Sequence, residues 1–277
     1  MAFDRTLVVD LDGTLIRSDM LFETFWSGVS RNWRTPFTAF QSLAAGRAAL
    51  KQRMSQVGPV DVGTLPYNPS VLDYIARWRA GGGRTALVTA SNQDVADQIA
   101  EHLGVFDEVH GSDAVLNLKG ERKASFLEAR YGTRGFDYIG DAQADLPVWE
   151  RAACAILVGV PAALRARVEA FGREIVDLPA QMPVASATLR VMRPHQWLKN
   201  LLVFLPLLAA HQINSGTLAM AALAFVAFSF VASSVYVLND LLDIAADRAH
   251  PRKKNRPFAS GALPLSHGTL LAPALLA

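Results

Sequence analysis

Thr6-Leu7-Val8-Val9-Asp10-Leu11-Asp12-Gly13-Thr14 decides the fold of the first part of the chain. A short β-branched and apolar run leads straight into two carboxylates. A run without polar alternation reads as a strand buried on both faces, as in a parallel sheet covered by helices. The carboxylates stand at its carboxyl end, two positions apart. Both can face one pocket if the chain bends there, and Gly13 permits the bend.

Working outward, Thr85–Val88, Phe136–Ile139 and Ala155–Val158 repeat the strand signal. Helical patterns lie between them, for example Gln93–Leu103 and Glu121–Arg130, and Gly81, Gly82 and Gly83 stop one helix ahead of the second strand. The expectation for residues 1–178 is an α/β domain with a parallel sheet. Residues 19–68 break the alternation and read as helices Leu21–Val29, Pro36–Gly46 and Leu50–Val57. An insertion after the first strand covers a site at the carboxyl ends of the strands.

The chemistry of this domain rests on four stretches. One carboxylate of Asp10-Leu11-Asp12 can bind a divalent cation and attack phosphorus, while the other donates a proton to the leaving group and later activates water. Val88-Thr89-Ala90-Ser91 ends the second strand with a hydroxyl and backbone N–H groups that can hold a phosphate. Lys123, in the next helical pattern, can neutralise charge on a transferring phosphoryl. Gly140-Asp141-Ala142-Gln143-Ala144-Asp145 adds two more carboxylates at a strand end. Mg²⁺ takes oxygen ligands and few protein carboxylates, so Asp10 and Asp141 suit it, with water and phosphate completing the octahedron.

The chain has 277 residues and a formal net charge of +2, a balance that does not favour a nucleic-acid binder. Its single cysteine, Cys154, sits in the apolar run Ala152–Val158 and reads as a buried structural thiol. The N-terminus enters the strand pattern at once, so no cleaved leader is expected.

Residues 179–193 carry Pro179, Pro183 and small residues and read as a linker. Beyond it the composition changes. No charged residue lies between Thr217 and Leu238, and at 1.5 Å per residue that stretch can cross a hydrocarbon core of roughly 30 Å. An earlier apolar stretch from Trp197 to Ile213 is near the lower limit for a span, and the two together read as a transmembrane hairpin. The tip His211-Gln212-Ile213-Asn214-Ser215-Gly216 has no Lys or Arg. The flanks carry Arg190, Arg193 and Lys199 on one side and Arg248, Arg252, Lys253, Lys254 and Arg256 on the other. The positive-inside rule puts both flanks, and the N-terminal domain, in the cytoplasm. After the second span come Asn239, Asp240, Asp243 and Asp247. On a helix the three aspartates form an acidic stripe that a magnesium diphosphate would bridge, with Arg256 holding remaining phosphate charge.

The first domain resembles the haloacid dehalogenase (HAD) superfamily, whose four motifs match DLDGT, Thr89, Lys123 and GDxxxD over about residues 5–178. The resemblance implies a Rossmann-like sheet with a helical C1-type cap at 19–68. It implies Asp10 as nucleophile, Asp12 as general acid/base, Thr89 as phosphate binder and Lys123 as phosphoryl stabiliser, with Lys119 the alternative lysine. The Mg²⁺ ligands are then Asp10 and Asp141 supported by Asp145, and Asp12 is counted with them. NDxxDxxxD followed by RPxxxG resembles the first signature of the UbiA superfamily of intramembrane prenyl-lipid transferases. RPHQWLKN at 193–200 is similar to the branch that includes decaprenyl-phosphate phosphoribosyltransferase. That resemblance implies that Asn239, Asp240, Asp243 and Asp247 bind Mg²⁺ and a phosphoribosyl diphosphate, assisted by Lys199 and Arg256. It also implies a larger all-α bundle with a second acidic motif, of which residues 194–277 form a part, a third helix beginning at Leu270–Ala277.

Together the halves imply a phosphohydrolase fused to a membrane transferase, multi-pass in the intact protein. The expected partners are a membrane, polyprenyl phosphate, and a phosphorylated small molecule or lipid-linked sugar. Alternatives are an aromatic prenyltransferase with an accessory phosphatase, and a non-catalytic phospho-ligand-binding domain. Phe22, Phe25, Trp26, Arg31, Trp33 and Arg34 in the cap suit either a lipid surface or the cap's own core.

Overall fold

The computed structural model describes residues 5–44, 46–113, 117–179, 184–211 and 213–277. The chain forms two compact units, Met1–Gln181 and Met182–Ala277.

The first unit is built on six strands: β1 (Thr6–Val9), β2 (Thr85–Asn92), β3 (Glu108–Ser112), β4 (Phe136–Gly140), β5 (Cys154–Val158) and β6 (Glu174–Leu178). All pair in parallel, in the order β3-β2-β1-β4-β5-β6. The order reverses direction between β1 and β4, so their carboxyl ends flank the crevice where such sheets bind ligands. Side chains alternate across β1 as the two-residue period requires. Leu7 and Val9 join one core with Leu87, Ile139 and Ile156, while Val8 joins the opposite core with Tyr138, Leu127 and Trp149. Both faces of the sheet centre are therefore dry, which is why β1 and β5 carry uninterrupted apolar runs.

The insertion after β1 supplies α1 (Met20–Arg31), α2 (Thr35–Ala44) and α3 (Arg47–Val57). The chain leaves and returns through one narrow neck, where Asn68 N donates to Leu15 O and Arg17 N to Pro66 O. Asp19 caps α1 by accepting from Leu21 N. The other helices of this unit are α4 (Pro69–Ala80), α5 (Gln93–Leu103), α6 (Glu121–Tyr131), α7 (Leu146–Arg151) and α8 (Ala162–Glu169).

The second unit begins with α9 (Val184–Met192), so the latter part of the stretch read as a linker is helical. Pro183 and the rest of 180–183 lie outside the described residues. A 3₁₀ helix over Pro194–Phe204 leads to α10 (Leu205–Ala209), then α11 (Ser215–Leu242), α12 (Ile244–Ala249) and α13 (Leu265–Ala274). Trp197 pairs with Ser233, Asn200 with Ser229, and the Phe204 ring with that of Phe225. Numbers rise on one arm as they fall on the other, so the arms are antiparallel, as the hairpin reading expects.

The first arm differs from that reading. It is not one α-helix, because Pro206 has no N–H for an i→i−4 bond and a fresh helix starts there. The amide of Leu205 bonds Leu202 O in the tighter i→i−3 pattern instead. Among the described residues α11 alone is long and apolar enough to cross a membrane. Gln212, in the expected hairpin tip, lies outside the described residues.

Candidate active site

The carboxyl ends of β1 and β4 place Asp10 and Asp141 on either side of the crevice, with Asp145 one short 3₁₀ turn further on. Carboxylate oxygens of Asp10, Asp141 and Asp145 all lie within 4.8 Å of one another. The close approach depends on Gly13, whose φ is +77°. A Cβ there would stand 2.2 Å from Asp141 Oδ2, so glycine is required for both conformation and space. Thr14 Oγ1 donates to Asp141 Oδ1 at 3.0 Å and orients it.

The buried Lys123, from the first turn of α6, donates to Asp10 Oδ1 at 2.8 Å and to the Tyr138 hydroxyl at 3.0 Å. Tyr138 in turn donates to Asp145 Oδ1 at 2.8 Å. Asp145 Oδ2 accepts from the amides of Asp141 and Ala142 and so shapes the loop after β4. Burial alone would lower the Lys123 ammonium, but the charges of Asp10 and Asp145 hold it above its ordinary value. Burial, then the charges of Asp10 and Asp145, push the Asp141 carboxyl up to about 8. Burial and the Asp10 charge also raise Asp145. A carboxylate trio that resists joint ionisation fits a hard divalent cation, and its all-oxygen donor set suits Mg²⁺.

The sequence reading counts Asp12 among the metal ligands, but its carboxylate lies outside this trio. Oδ1 accepts from Met20 N at the start of α1, and Oδ2 accepts from Ser91 Oγ at 2.7 Å. Burial and the charge of Asp19 push it up to about 7, against the lowering effect of those hydrogen bonds. A carboxyl with that value can carry a proton near neutrality, which is what a general acid requires. The strand runs on past the expected end at Val88, so Thr89 lies within β2, fully buried at the irregularity between Val88 and Asn92, and its Oγ1 accepts from Ser91 N at 3.0 Å.

Three contributors were not singled out by motif spacing. Ser91 positions Asp12, and Tyr138 links Lys123 to Asp145. Lys51, on cap helix α3, donates to Ala90 O at 2.8 Å, next to Thr89. Lys51 also lines a crevice between cap and sheet with Met20, Thr24, Ser55, Ser91 and Asn92.

In the second unit the expected acidic stripe divides. Asp240 and Asp247 are buried, and Arg256 Nη1 donates to both, at 3.1 and 2.7 Å. Arg193 Nη2 also reaches Asp240 Oδ1 at 2.5 Å while its guanidinium covers the Tyr236 ring. Lys253 lies 3.8 Å from Asp247. Asp243 stands at the end of α11 and is exposed, as are Asn239 and Lys199. Asp243 is the residue at which α11 gives way to α12, with φ −94° and ψ +10°, and the break leaves its side chain out of the line of Asp240 and Asp247. The geometry thus gathers Asp240, Asp247, Arg193 and Arg256, and leaves Asn239, Asp243 and Lys199 outside that cluster.

Residues 7–150 match the family model for haloacid dehalogenase-like hydrolases, more than half of the chain, and the chain belongs to that family. Residues 200–277 match the UbiA prenyltransferase family model. An uncharacterised Sinorhizobium fredii protein, y4nM, is 38% identical over 99% of this chain and 54% of its own length. Decaprenyl-phosphate phosphoribosyltransferase of Corynebacterium glutamicum is 43% identical over 34% of this chain and 29% of its own. Nodulation protein NoeC of Azorhizobium caulinodans is 48% identical over 31% of this chain and 28% of its own. The chain therefore spans about half the length of the first relative and under a third of the other two. Among solved structures, a Bordetella pertussis protein of unknown function aligns over 62% of this chain and 98% of its own, at 18% identity and a TM-score of 0.47. A phosphoserine phosphatase complex aligns over 62% and 92%, at 13% identity and a TM-score of 0.45.

Proposed function

We propose that the first unit hydrolyses phosphate monoesters with Mg²⁺, through a phosphoryl group carried transiently on Asp10. The observation that carries this reading is the joint placement of Asp10 against Lys123 at 2.8 Å and within the Asp141–Asp145 trio. Asp10, Asp141 and Asp145 are the residues that would hold the cation. Bound there, Mg²⁺ would offset the clustered negative charge and polarise the phosphoryl oxygens. Asp10 attacks phosphorus, and Lys123 keeps one Asp10 oxygen fixed while neutralising equatorial charge. Protonated Asp12 gives its proton to the leaving oxygen as the P–O bond breaks. The resulting Asp12 carboxylate then takes a proton from the water that attacks the aspartyl phosphate, which returns Asp10 and releases phosphate. Thr89 and the amides following it hold the phosphoryl group, and the α1–α3 cap excludes bulk water.

The second unit is the start of a prenyl-lipid transferase whose α11 crosses the cytoplasmic membrane. Its basic flanks and the first unit lie on the cytoplasmic side. Arg193, Asp240, Asp247 and Arg256 are the residues of the described part that would engage Mg²⁺ and a phosphoribosyl diphosphate. Transfer of a phosphorylated pentose to polyprenyl phosphate leaves a phosphate monoester on the sugar, and removal of that phosphate suits the first unit. The similarity of the C-terminal stretch to decaprenyl-phosphate phosphoribosyltransferases supports this pairing. The test is Mg²⁺-dependent phosphate release by the chain in detergent, wild type and Asp10→Asn, from a lipid-linked phosphoribose and from soluble sugar phosphates. Hydrolysis of the lipid at a higher kcat/KM, lost in Asp10→Asn, is expected. Turnover of soluble monoesters with no action on the lipid would end the proposed coupling.

A further inference from the structure

The cap carries one helix whose amphipathicity is inverted. On α2 the residues turned inward are small or hydroxylated: Thr35 is buried, and Thr38, Ala39 and Ser42 are half-buried. Thr35 packs so closely on α1 that a Cβ at Gly28 would meet its Cγ2 at 2.9 Å. The large apolar residues point out. Trp33 is 69% exposed, Phe37 64%, Phe40 78% and Leu43 49%. The spacing of Phe37, Phe40 and Leu43 puts them on one side of the helix, and Trp33, in the turn just before it, meets the Phe37 ring edge to face. Together they present roughly 500 Å² of apolar surface, at the upper end of what a soluble monomer shows in one patch. A helix serving only the cap's own core would point the aromatic side inward. Trp26, on α1, does so and is 7% exposed.

The cap sequence that carries this patch has charge of one sign. From Thr24 to Val60 there is no Asp or Glu, while Arg31, Arg34, Arg47, Lys51 and Arg53 all fall in that stretch. Arg31, Arg34 and Arg53 are exposed, and the Arg34 guanidinium lies 5.4 Å from the Trp33 ring. An aromatic face edged by cations is the composition of a segment that lies in the headgroup layer of an anionic bilayer. A protein surface would be matched by acidic residues on a specific partner, but a bilayer needs only the sign and the apolar face. The same chain carries α11, which on the reading above sits in the membrane, so the lipid surface is the partner present at highest local concentration.

We propose that α2 is a membrane-docking face: Trp33, Phe37, Phe40 and Leu43 insert among lipid headgroups, with Arg31 and Arg34 on anionic phosphates. Docking brings the cap, which carries Lys51 into the active-site crevice, to the surface where a lipid-linked substrate presents its headgroup.

Cys154 is buried, so a Phe40→Cys chain can be labelled selectively with an environment-sensitive fluorophore. The full chain is reconstituted into vesicles of phosphatidylcholine, with or without phosphatidylglycerol. The expected result is blue-shifted emission in the anionic vesicles, quenched by lipids spin-labelled near the headgroup. Arg31→Gln and Arg34→Gln should each lower the docked-to-free ratio about fivefold, and added salt should lower it further. Flotation with the vesicles reads anchoring by α11 separately, because a Phe37→Ser/Phe40→Ser chain should still float. Loss of flotation in both chains would refute the anchoring reading, and the probe emission on added anionic vesicles would still decide docking. Emission typical of a water-exposed probe in every vesicle overturns the proposal. So does a blue shift that ignores phosphatidylglycerol and grows with protein density, since that marks a second copy covering the face.

Discussion

Removing one oxygen atom, in Tyr138→Phe, should separate positioning from packing in the active site. The phenol is fully buried, with its ring edge-on to Trp149, so phenylalanine fills the same volume and leaves almost no cavity. The loss is confined to two hydrogen bonds, one accepted from Lys123 at 3.0 Å and one given to Asp145 Oδ1 at 2.8 Å. Lys123 keeps Asp10, but Asp145 Oδ1 loses its donor in a buried setting. A hydrogen bond to a charged group contributes about 1.5–3 kcal/mol, so the first unit should be destabilised by about 2–3 kcal/mol. For a unit of this size that lowers Tm by roughly 4–12 °C. Phosphate release should fall about tenfold in kcat with KM nearly unchanged, which corresponds to about 1.4 kcal/mol of lost transition-state stabilisation. The Mg²⁺ concentration for half-maximal rate should rise about tenfold, as expected when a ligand's supporting bond is cut. Steady-state rates across a Mg²⁺ titration, beside thermal unfolding, decide the matter. A variant that loses only Tm, with kcat and Mg²⁺ response unchanged, would show that the hydroxyl serves packing and refute the relay from Lys123 to Asp145.

Gly13→Ala should abolish Mg²⁺-dependent turnover, because the left-handed φ costs about 1–2 kcal/mol and the new Cβ displaces Asp141 Oδ2; retained activity would count against the close approach. Lys51→Met should raise KM for a phosphate monoester about fivefold with kcat within about twofold, since it removes a cation from the crevice without touching Asp10. Stability without Mg²⁺ should fall as pH rises. The folded values of Asp12, about 7, and Asp141, about 8, lie above the ordinary carboxylate range. Their contribution is therefore full below about pH 4 and lost as pH rises through 7–8. Glu108 runs the other way: burial opposes it, but hydrogen bonds from Arg130 and Tyr131 hold it at about 2, so its contribution is lost below about pH 4. Unfolding followed from pH 3 to 9 should show a maximum near pH 4, and Mg²⁺ should flatten the alkaline side.

The sequence was most legible where the core is dry. β1, β2, β4 and β5 are central strands, and each shows a short apolar or β-branched run, interrupted in β4 only by the buried Asp137. β3 and β6 lie at the two edges of the sheet, and their half-exposed sequences Glu-Val-His-Gly-Ser and Glu-Ile-Val-Asp-Leu lack that signal. The cap is visible because α1 follows helical periodicity, yet no periodicity tells that α2 turns its aromatic side outward. Asp10, Asp12, Lys123, Asp141 and Asp145 are readable from motif spacing. Tyr138 is hidden because it reads as one more apolar strand residue, and Lys51 because its partner, Ala90, is a backbone carbonyl far away in sequence. Asp240, Asp243 and Asp247 share a stripe only on one unbroken helix; here Asp243 is the exposed residue between α11 and α12, while Arg256 reaches Asp240 and Asp247.

The most direct measurement is rapid acid quench of the chain during turnover of a ³²P-labelled phosphate monoester with Mg²⁺, followed by mapping of the labelled peptide. Hydroxylamine-labile label on Asp10, absent from Asp10→Asn together with phosphate release, is the predicted result. Phosphate release that persists in Asp10→Asn, or label on a residue other than Asp10, would contradict the assignment of Asp10 as the phosphate acceptor.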